Sequence, residues 1–486
     1  LAPFILVYDV GTSSLKAVVY DEHGDIVTKK SKFYEFAAPR QGWAEIDPQV
    51  WWNSLKSVTG ELAEEIELSP LQGIALTGQM HSAVLLGEDD EAVAPSILWL
   101  DRRASEETEE LQERFGLKPY KLNSSYTLPK LYWLSRYNPE VLQEVRTMLW
   151  PKDYLRFMLT GVKVTDYTEG IGSSLIDWEK REWLPERIEA CGMTTAVLPE
   201  IRPQEEMYGL RPEVAEELGL PASCKVLVGC GDIAALLGGA PHRPGRLVYS
   251  MGSSSMYFTE AQNSPEEGNG LYTLRLAGYR LFGGVTSTAG ASLNWAFEKL
   301  WGGEDVINFH QMVEEVMKAD AQDESLLFFP FLAGERSPFW SDKISGSFEG
   351  LKLHHDKYHL TRAVMEGVAF CIRYILDLME ELNVEVEEIA LCGGGAKTSG
   401  WPEIIAAATG KKVVIYNAEE TVTTVLYAIM ASALRGESFR ETLAALFTEP
   451  KAVRADDGGE RYRRLYRNYR RFLGAKIQTY ESMGSE

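Results

Sequence analysis

Cysteine is scarce. The 486 residues hold five, Cys191, Cys224, Cys230, Cys371 and Cys392, an odd number with no C-x-x-C pair. That spacing argues against a disulfide framework or a zinc knuckle and points to a reducing compartment. Long apolar runs are missing as well: no stretch approaches the ~20 consecutive apolar residues of a membrane span. The apolar start from Phe4 to Tyr8 has neither a basic flank nor a small-residue cleavage site, so a cytoplasmic location is the expectation. Positive charge is in deficit, 49 Lys and Arg against 71 Asp and Glu for a net charge of -22. Such a balance opposes non-specific binding to nucleic acid or to an anionic membrane, so an anionic ligand needs local donors. No low-complexity tract or long linker interrupts the chain.

What is present is apolar mass: 45% hydrophobic residues, with 12 Trp and 22 Tyr. At ~150 residues per domain this length predicts two or more domains with real cores. The N-terminus reads as strand (Phe4 to Val10), turn (Gly11 to Ser14), strand (Leu15 to Tyr20), then a third strand after the His23-Gly24-Asp25 turn. Asp47 as N-cap and Pro48 at the first helical position open an amphipathic helix through Trp51, Trp52, Leu55 and Val58. Strands return at Ile74 to Thr77 and Ala83 to Leu86, which gives a mixed sheet covered by helices and an α/β class. Near residue 245 the same grammar restarts: strand Leu247 to Met251, turn Gly252 to Ser255, strands Met256 to Thr259 and Tyr279 to Val285, then a helix from Ala291 to Leu300. The turn-forming cluster His242 to Gly245 marks a boundary between residues 1-243 and 244-486, and two similar halves predict a ligand cleft between them. At the C-terminal end, Tyr462, Leu465, Tyr466, Tyr469, Phe472 and Leu473 recur at helical spacing. That pattern predicts a packing helix with a buried aromatic face and solvated arginines, rather than an RNA contact.

Several short motifs carry chemistry. Asp9 stands beside the turn Gly11-Thr12-Ser13-Ser14, with Lys16 just beyond, a set of amides, hydroxyls, a carboxylate and a cation that suits a triphosphate and its metal. Gly252-Ser253-Ser254 is the matching turn of the second half, without the acid. Cys392 to Thr398 includes Gly394, Gly395 and Ala396 after a strand; it is neither a P-loop nor G-x-G-x-x-G, and reads as a backbone approach to a purine or as a plain strand-to-helix turn. Asp232, framed by Gly231 and Ile233 after the strand Val226 to Val228, reads as a helix N-cap or as a general base for a hydroxyl nucleophile. Gln79-Met80-His81 and Trp99-Leu100-Asp101-Arg102-Arg103 offer polar groups suited to a polyol.

Together these residues resemble the FGGY family of carbohydrate kinases over essentially the whole chain. Ser125 to Leu134 resembles one family signature, and Gly346 to Leu351 with His359 to Glu366 the other. Gln79-Met80-His81, Pro151 to Arg156, Gly334 to Pro338 and Gly42 to Glu45 with Asp47-Pro48 and Trp51-Trp52 are most similar to the family's xylulokinases. The resemblance implies two ribonuclease-H-like, actin-like ATPase domains, with sugar and the first phosphate loop in the N-terminal one and nucleotide in the C-terminal one. It implies Asp232 as catalytic base and Asp9 near magnesium. Met80, His81, Trp99, Asp101 and Arg103 fall at the sugar, Gly11, Thr12, Ser13, Lys16, Gly252, Ser253 and Ser254 at the phosphates, and Gly394, Gly395 and Ala396 beside adenosine. ATP, Mg2+ and a small sugar are the expected ligands, with D-xylulose the first choice; oligomeric state stays open, a homodimer being one option. Three departures bear on the sugar: Ile233 where xylulokinases carry Asn, Ser82 where they carry Gly, and Phe339 where a His is common. Met-His-Ser and Arg-Ser-Pro-Phe-Trp are also similar to gluconokinases, so gluconate or another polyol is the alternative. A non-enzymatic actin-like nucleotide switch is the alternative of another class.

Overall fold

The three N-terminal strands exist because β-branched and aromatic residues alternate around two tight turns. In the computed structural model, which describes residues 3–319, 325–341, 343–416, 420–447, 450–453 and 459–483, they are β1 (Phe4–Val10), β2 (Ser14–Tyr20) and β3 (Ile26–Phe33), paired antiparallel. Helix α1 (Pro48–Glu65) begins where Asp47 accepts the Gln49 N–H, and it buries Trp51, Trp52, Leu55, Val58 and Leu62. Its crossover returns the chain to β4 (Leu71–Gly78), which lies parallel to β1. Two short strands, Met207–Gly209 and Lys225–Leu227, complete a six-stranded sheet ordered 207–209, 225–227, β4, β1, β2, β3. Helices α2 (Pro151–Thr160) and α3 (Tyr167–Ser173) belong to the same unit.

The grammar repeats in β5 (Arg246–Met251), β6 (Ser255–Glu260) and β7 (Tyr279–Thr286), followed by α4 (Gly290–Trp301). β5 pairs antiparallel with β6 and parallel with β8 (Glu388–Cys392), as β1 does with β2 and β4. The crossover is longer here. It includes α5 (Lys357–Glu381), whose stripe of Val364, Val368, Cys371, Ile375 and Met379 is buried. A hairpin strand, Leu271–Leu276, lies beyond β7, and β9 (Lys412–Ile415) lies beyond β8 in an eight-stranded sheet.

Two compact units result: Leu1–Gly238 with Glu420–Leu446, and Gly239–Glu419 with Phe447–Glu486. The segment Glu420–Leu446, which a single division after residue 243 would assign to the second half, belongs to the first unit and carries two helices, α6 (Thr421–Arg435) and Phe439–Ala445. The Thr423 hydroxyl of α6 lies 2.7 Å from the Tyr20 hydroxyl, and the Tyr427 ring stands 5.0 Å from the Tyr20 ring. The C-terminal helix α7 (Gly459–Met483) buries Tyr462, Leu465, Tyr466, Tyr469 and Leu473 as expected. Phe472 corrects that expectation: at the edge of the stripe, one heptad after Leu465, it is 44% exposed. Arg461 corrects the solvated face, since Glu366 of α5 holds it at 2.8 Å. Among the described residues no helix is long and apolar enough to cross a membrane.

Candidate active site

Register places the first acid and the first cation side by side, for Asp9 of β1 pairs with Lys16 of β2. Lys16 is not idle. Its ammonium lies 2.8 Å from Glu420, which also holds Lys29 at 3.1 Å. The turn between the strands is closed by the Gly11 N–H donating to the Ser14 carbonyl at 2.9 Å. Two groups from elsewhere brace it: the Gln79 amide donates to the Gly11 carbonyl at 3.1 Å, and the Trp99 indole N–H to the Thr12 hydroxyl at 2.9 Å. Ser13 stays exposed at the tip. The turn and two of the polyol candidate segments are thus one assembly.

Asp232 opens a short 3-10 turn, Asp232–Ala234, directly after the strand end at Leu227 and the glycine-rich step that follows. Surrounding protein desolvates its carboxyl, and the like charge of Asp9 adds to that, so the group is pushed up to about 7 against its own backbone hydrogen bonds. The residue keeps exposed surface; crowding by protein, rather than complete loss of water, is what shifts it. Asp9 is also raised, by desolvation first, with Lys16 opposing and Glu420 adding to the rise. A carboxyl that titrates near neutrality and remains reachable is suited to accept a hydroxyl proton. Ile233 beside it is half-buried.

Met80 lies against this loop at Gly231, and both Met80 and His81 lie against Gly172. His81 is held at φ 71, in the left-handed region a side chain seldom adopts. Its Nδ1 is 2.6 Å from the Gly172 carbonyl of α3. A carbonyl only accepts, so Nδ1 carries the proton and Nε2 is left as an acceptor for a ligand hydroxyl. Desolvation pushes the imidazole down to about 3, which keeps it neutral. A Cβ at position 172 would come within 2.8 Å of Nδ1, so only glycine permits this approach.

Asp101 and Arg103 are brought together, chiefly with each other. The guanidinium donates to both Asp101 oxygens at 2.8 to 3.1 Å, reaches Glu45 at 2.7 Å, and lies 3.6 Å over the Trp43 ring. Its side chain is 3% exposed, and Asp101 also accepts the Ala44 N–H at 2.6 Å. Both act in this structure as scaffold for the loop that presents Trp99, which is 38% exposed. The signature helix Thr127–Tyr137 joins the assembly through the Thr127 hydroxyl, which donates to the His81 carbonyl at 2.9 Å.

In the second unit the Gly252 N–H donates to the Ser254 carbonyl at 2.9 Å, the same closure as Gly11 but one residue tighter. The Gly252 and Ser253 carbonyls accept the N–H groups of residues 289 to 291 and so cap the start of α4. Gly252 and Ser253 are exposed. Gly394 is exposed too, with open space where a side chain would stand, whereas Gly395 and Ala396 are buried and Gly395 sits against Met251. Gly394 is therefore the surface-facing member of that trio.

Two features escaped the sequence reading. Glu335 accepts the N–H groups of Ser287 and Arg336 at 2.6 and 2.8 Å and so clamps the end of β7; desolvation pushes it up to about 7. Pro151 to Arg156 contributes a fully buried ion cluster: Lys152 lies 2.6 Å from Asp153 and 2.9 Å from Asp166, and Arg156 lies 2.7 Å from Asp153. Neither role is visible without the partner residues. Among the described residues no group of three or more His, Cys, Asp or Glu is arranged to hold a metal ion. A magnesium ion bound mainly through nucleotide phosphates needs only one or two carboxylates, and Asp9, raised and beside a like charge, fits that lesser demand.

Comparison with known proteins agrees with this geometry. The N-terminal domain of the FGGY family of carbohydrate kinases matches residues 4–238, and its C-terminal domain residues 247–431. The chain is 36% identical to a xylulose kinase of Lactococcus lactis over 408 residues, 81% of this chain and 80% of that protein. It is 25% identical to a gluconokinase of Bacillus subtilis over 87% of this chain and 86% of that one. A solved structure described as a xyloylose kinase from Brucella ovis superposes with a TM-score of 0.88 at 29% identity, covering 98% of this chain and all of the other. With both family domains matched across the two strand-turn-strand repeats, the chain belongs to the FGGY family of carbohydrate kinases, phosphotransferases that use ATP as co-substrate and a sugar as acceptor.

Proposed function

We propose that the chain transfers the γ-phosphoryl group of Mg-ATP to a terminal hydroxyl of D-xylulose, with Asp232 accepting the hydroxyl proton. The observation that carries this reading is Asp232 itself, a reachable carboxyl pushed up to about 7 on a loop that rests against Met80. A base poised near the working pH combines a useful ionised fraction with enough basicity to take the proton as the oxygen attacks in line. His81 Nε2 would accept from one sugar hydroxyl, and Trp99 would present an indole face to the carbon chain. Asp9 would hold magnesium, which when bound would neutralise charge on the transferring phosphates. Ser13 and Lys16 would meet phosphate oxygens, and Gly252, Ser253, Ser254 and Gly394 would offer the nucleotide surface of the second unit.

A neutral ketose fits the sugar groups better than an acid does. An aldonate needs a cation for its carboxylate, and of the residues that the resemblance places at the sugar the one cation, Arg103, is engaged by Asp101 and Glu45. Membership in a family of phosphotransferases sets aside the non-enzymatic switch. The five thiols are all buried and unpaired, in keeping with a reducing cytoplasm as the place of action. A coupled ADP-release assay across pentuloses, gluconate, erythrulose and glycerol tests the assignment. D-xylulose should give the highest kcat/KM; a higher value for gluconate would overturn the choice of sugar.

A further inference from the structure

Helix α3 touches both halves of the sugar-side assembly. Its Thr168 hydroxyl accepts the Gly231 N–H at 2.8 Å, and its Gly172 carbonyl accepts His81. Between these contacts stands Glu169, wholly buried, with no hydrogen-bond partner for either carboxyl oxygen among the described residues. A side-chain carbon at Gly231 would lie 3.3 Å from one of those oxygens and 2.6 Å from Met80 Cγ, so the glycine lets the Asp232 loop rest directly on Glu169 and Met80. The neighbouring ion cluster is already balanced, with Lys152 and Arg156 set against Asp153 and Asp166. An ionised Glu169 would leave one uncompensated negative charge in the interior, close to Asp232, at a cost that a buried acid avoids by keeping its proton.

We propose that Glu169 is a positioning residue for Asp232: a neutral, proton-carrying carboxyl packed against Gly231, which supports the loop without opposing the charge that Asp232 must hold as base. This inference rests on the reading of Asp232 as base. The groups around Glu169 are Lys152, Asp153 and Arg156 from α2, Asp166 and Thr168 at the start of α3, and Cys230, Asp232 and Met80 from the loops. Burial holds its carboxyl well above the usual range, Lys152 works against that, and Asp153, Asp166 and Asp232 work with it.

The test compares wild type, E169Q and E169L in the full chain. Gln copies the shape of the protonated acid and cannot ionise. E169L should lower kcat by up to about a hundredfold, the usual scale for a displaced catalytic group, and E169Q should restore most of that loss. Thermal melting supplies a readout that needs no substrate. Wild-type Glu169 is protonated in the fold and ionised in the unfolded chain, so its stabilising contribution is complete below about pH 4.5 and weakens about tenfold in folding equilibrium per pH unit above it. E169Q has no such slope, and its melting temperature should climb relative to wild type as the pH rises from about 5.5 through the range in which the unfolded acid is ionised and the folded one is not. A flat difference over that range overturns the protonated acid whether or not the sugar assignment survives. E169Q as slow as E169L, or E169L as fast as wild type, overturns the positioning role.

Discussion

Asp232 and Asp9 repel each other, and the rate should record it. A catalytic base must be ionised to work, and the Asp232 carboxyl proposed for that role is pushed up to about 7 by desolvation and then by Asp9. At saturating Mg-ATP, kcat/KM for the sugar should therefore rise about tenfold per unit on the acid side and level off near pH 7; a limb centred below about pH 5 would mean an ordinary, unshifted carboxylate. Lys16 gives a second expectation. Its ammonium is shared with Glu420, 404 residues away, and is about one-third exposed. Binding a triphosphate would exchange that carboxylate for phosphate oxygens. Lys16→Ala should raise the KM for ATP or lower kcat while leaving sugar binding, measured without nucleotide by calorimetry, unchanged. Equal loss of both ligands would point to a folding defect.

Elements that announce themselves in the sequence do so through local physics. The Asp47 cap, the Pro48 start and the Trp51, Trp52, Leu55, Val58 stripe of α1 need no distant partner to be recognised. The C-terminal helix is legible in the same way, save for Phe472, which stays exposed, and Arg461, whose partner Glu366 lies on α5. That difference can be measured. Tyr469 is buried and stacks 4.5 Å from Phe329, so Tyr469→Ala should cost about 3 kcal/mol or more, the scale of a large aromatic removed from a core. Phe472→Ser should stay within about 0.5 kcal/mol, as exposed substitutions do. Chemical denaturation of the two variants distinguishes a five-residue buried face from a six-residue one.

At the scale of the whole molecule, the two-copy architecture could be read from repetition alone, because β1 to β4 and β5 to β8 share one order of turns, helices and pairings. The return of α6 to the first unit could not, since it is held there by distant partners, Tyr20 against Thr423 and Tyr427 and Gly73 against Met430. The site divides similarly. Asp9, Asp232 and the turns after β1 and β5 stand at strand ends that sequence pattern locates. The mutual engagement of Asp101 with Arg103, the Glu420 partner of Lys16 and the buried acid at Glu169 arise from pairings that no local pattern encodes. The central claim is that Asp232 takes the proton during phosphoryl transfer to a sugar, and one comparison addresses it directly. Phosphorylated D-xylulose formed from Mg-ATP is followed by phosphorus NMR for wild type and Asp232→Asn, with ATP affinity measured alongside. Wild type should give the sugar phosphate, and the variant should bind ATP normally yet turn over about 10² to 10⁴ times more slowly, the contribution of a positioned base. Near-normal turnover in Asp232→Asn, which caps a helix as well as Asp does, would contradict the account.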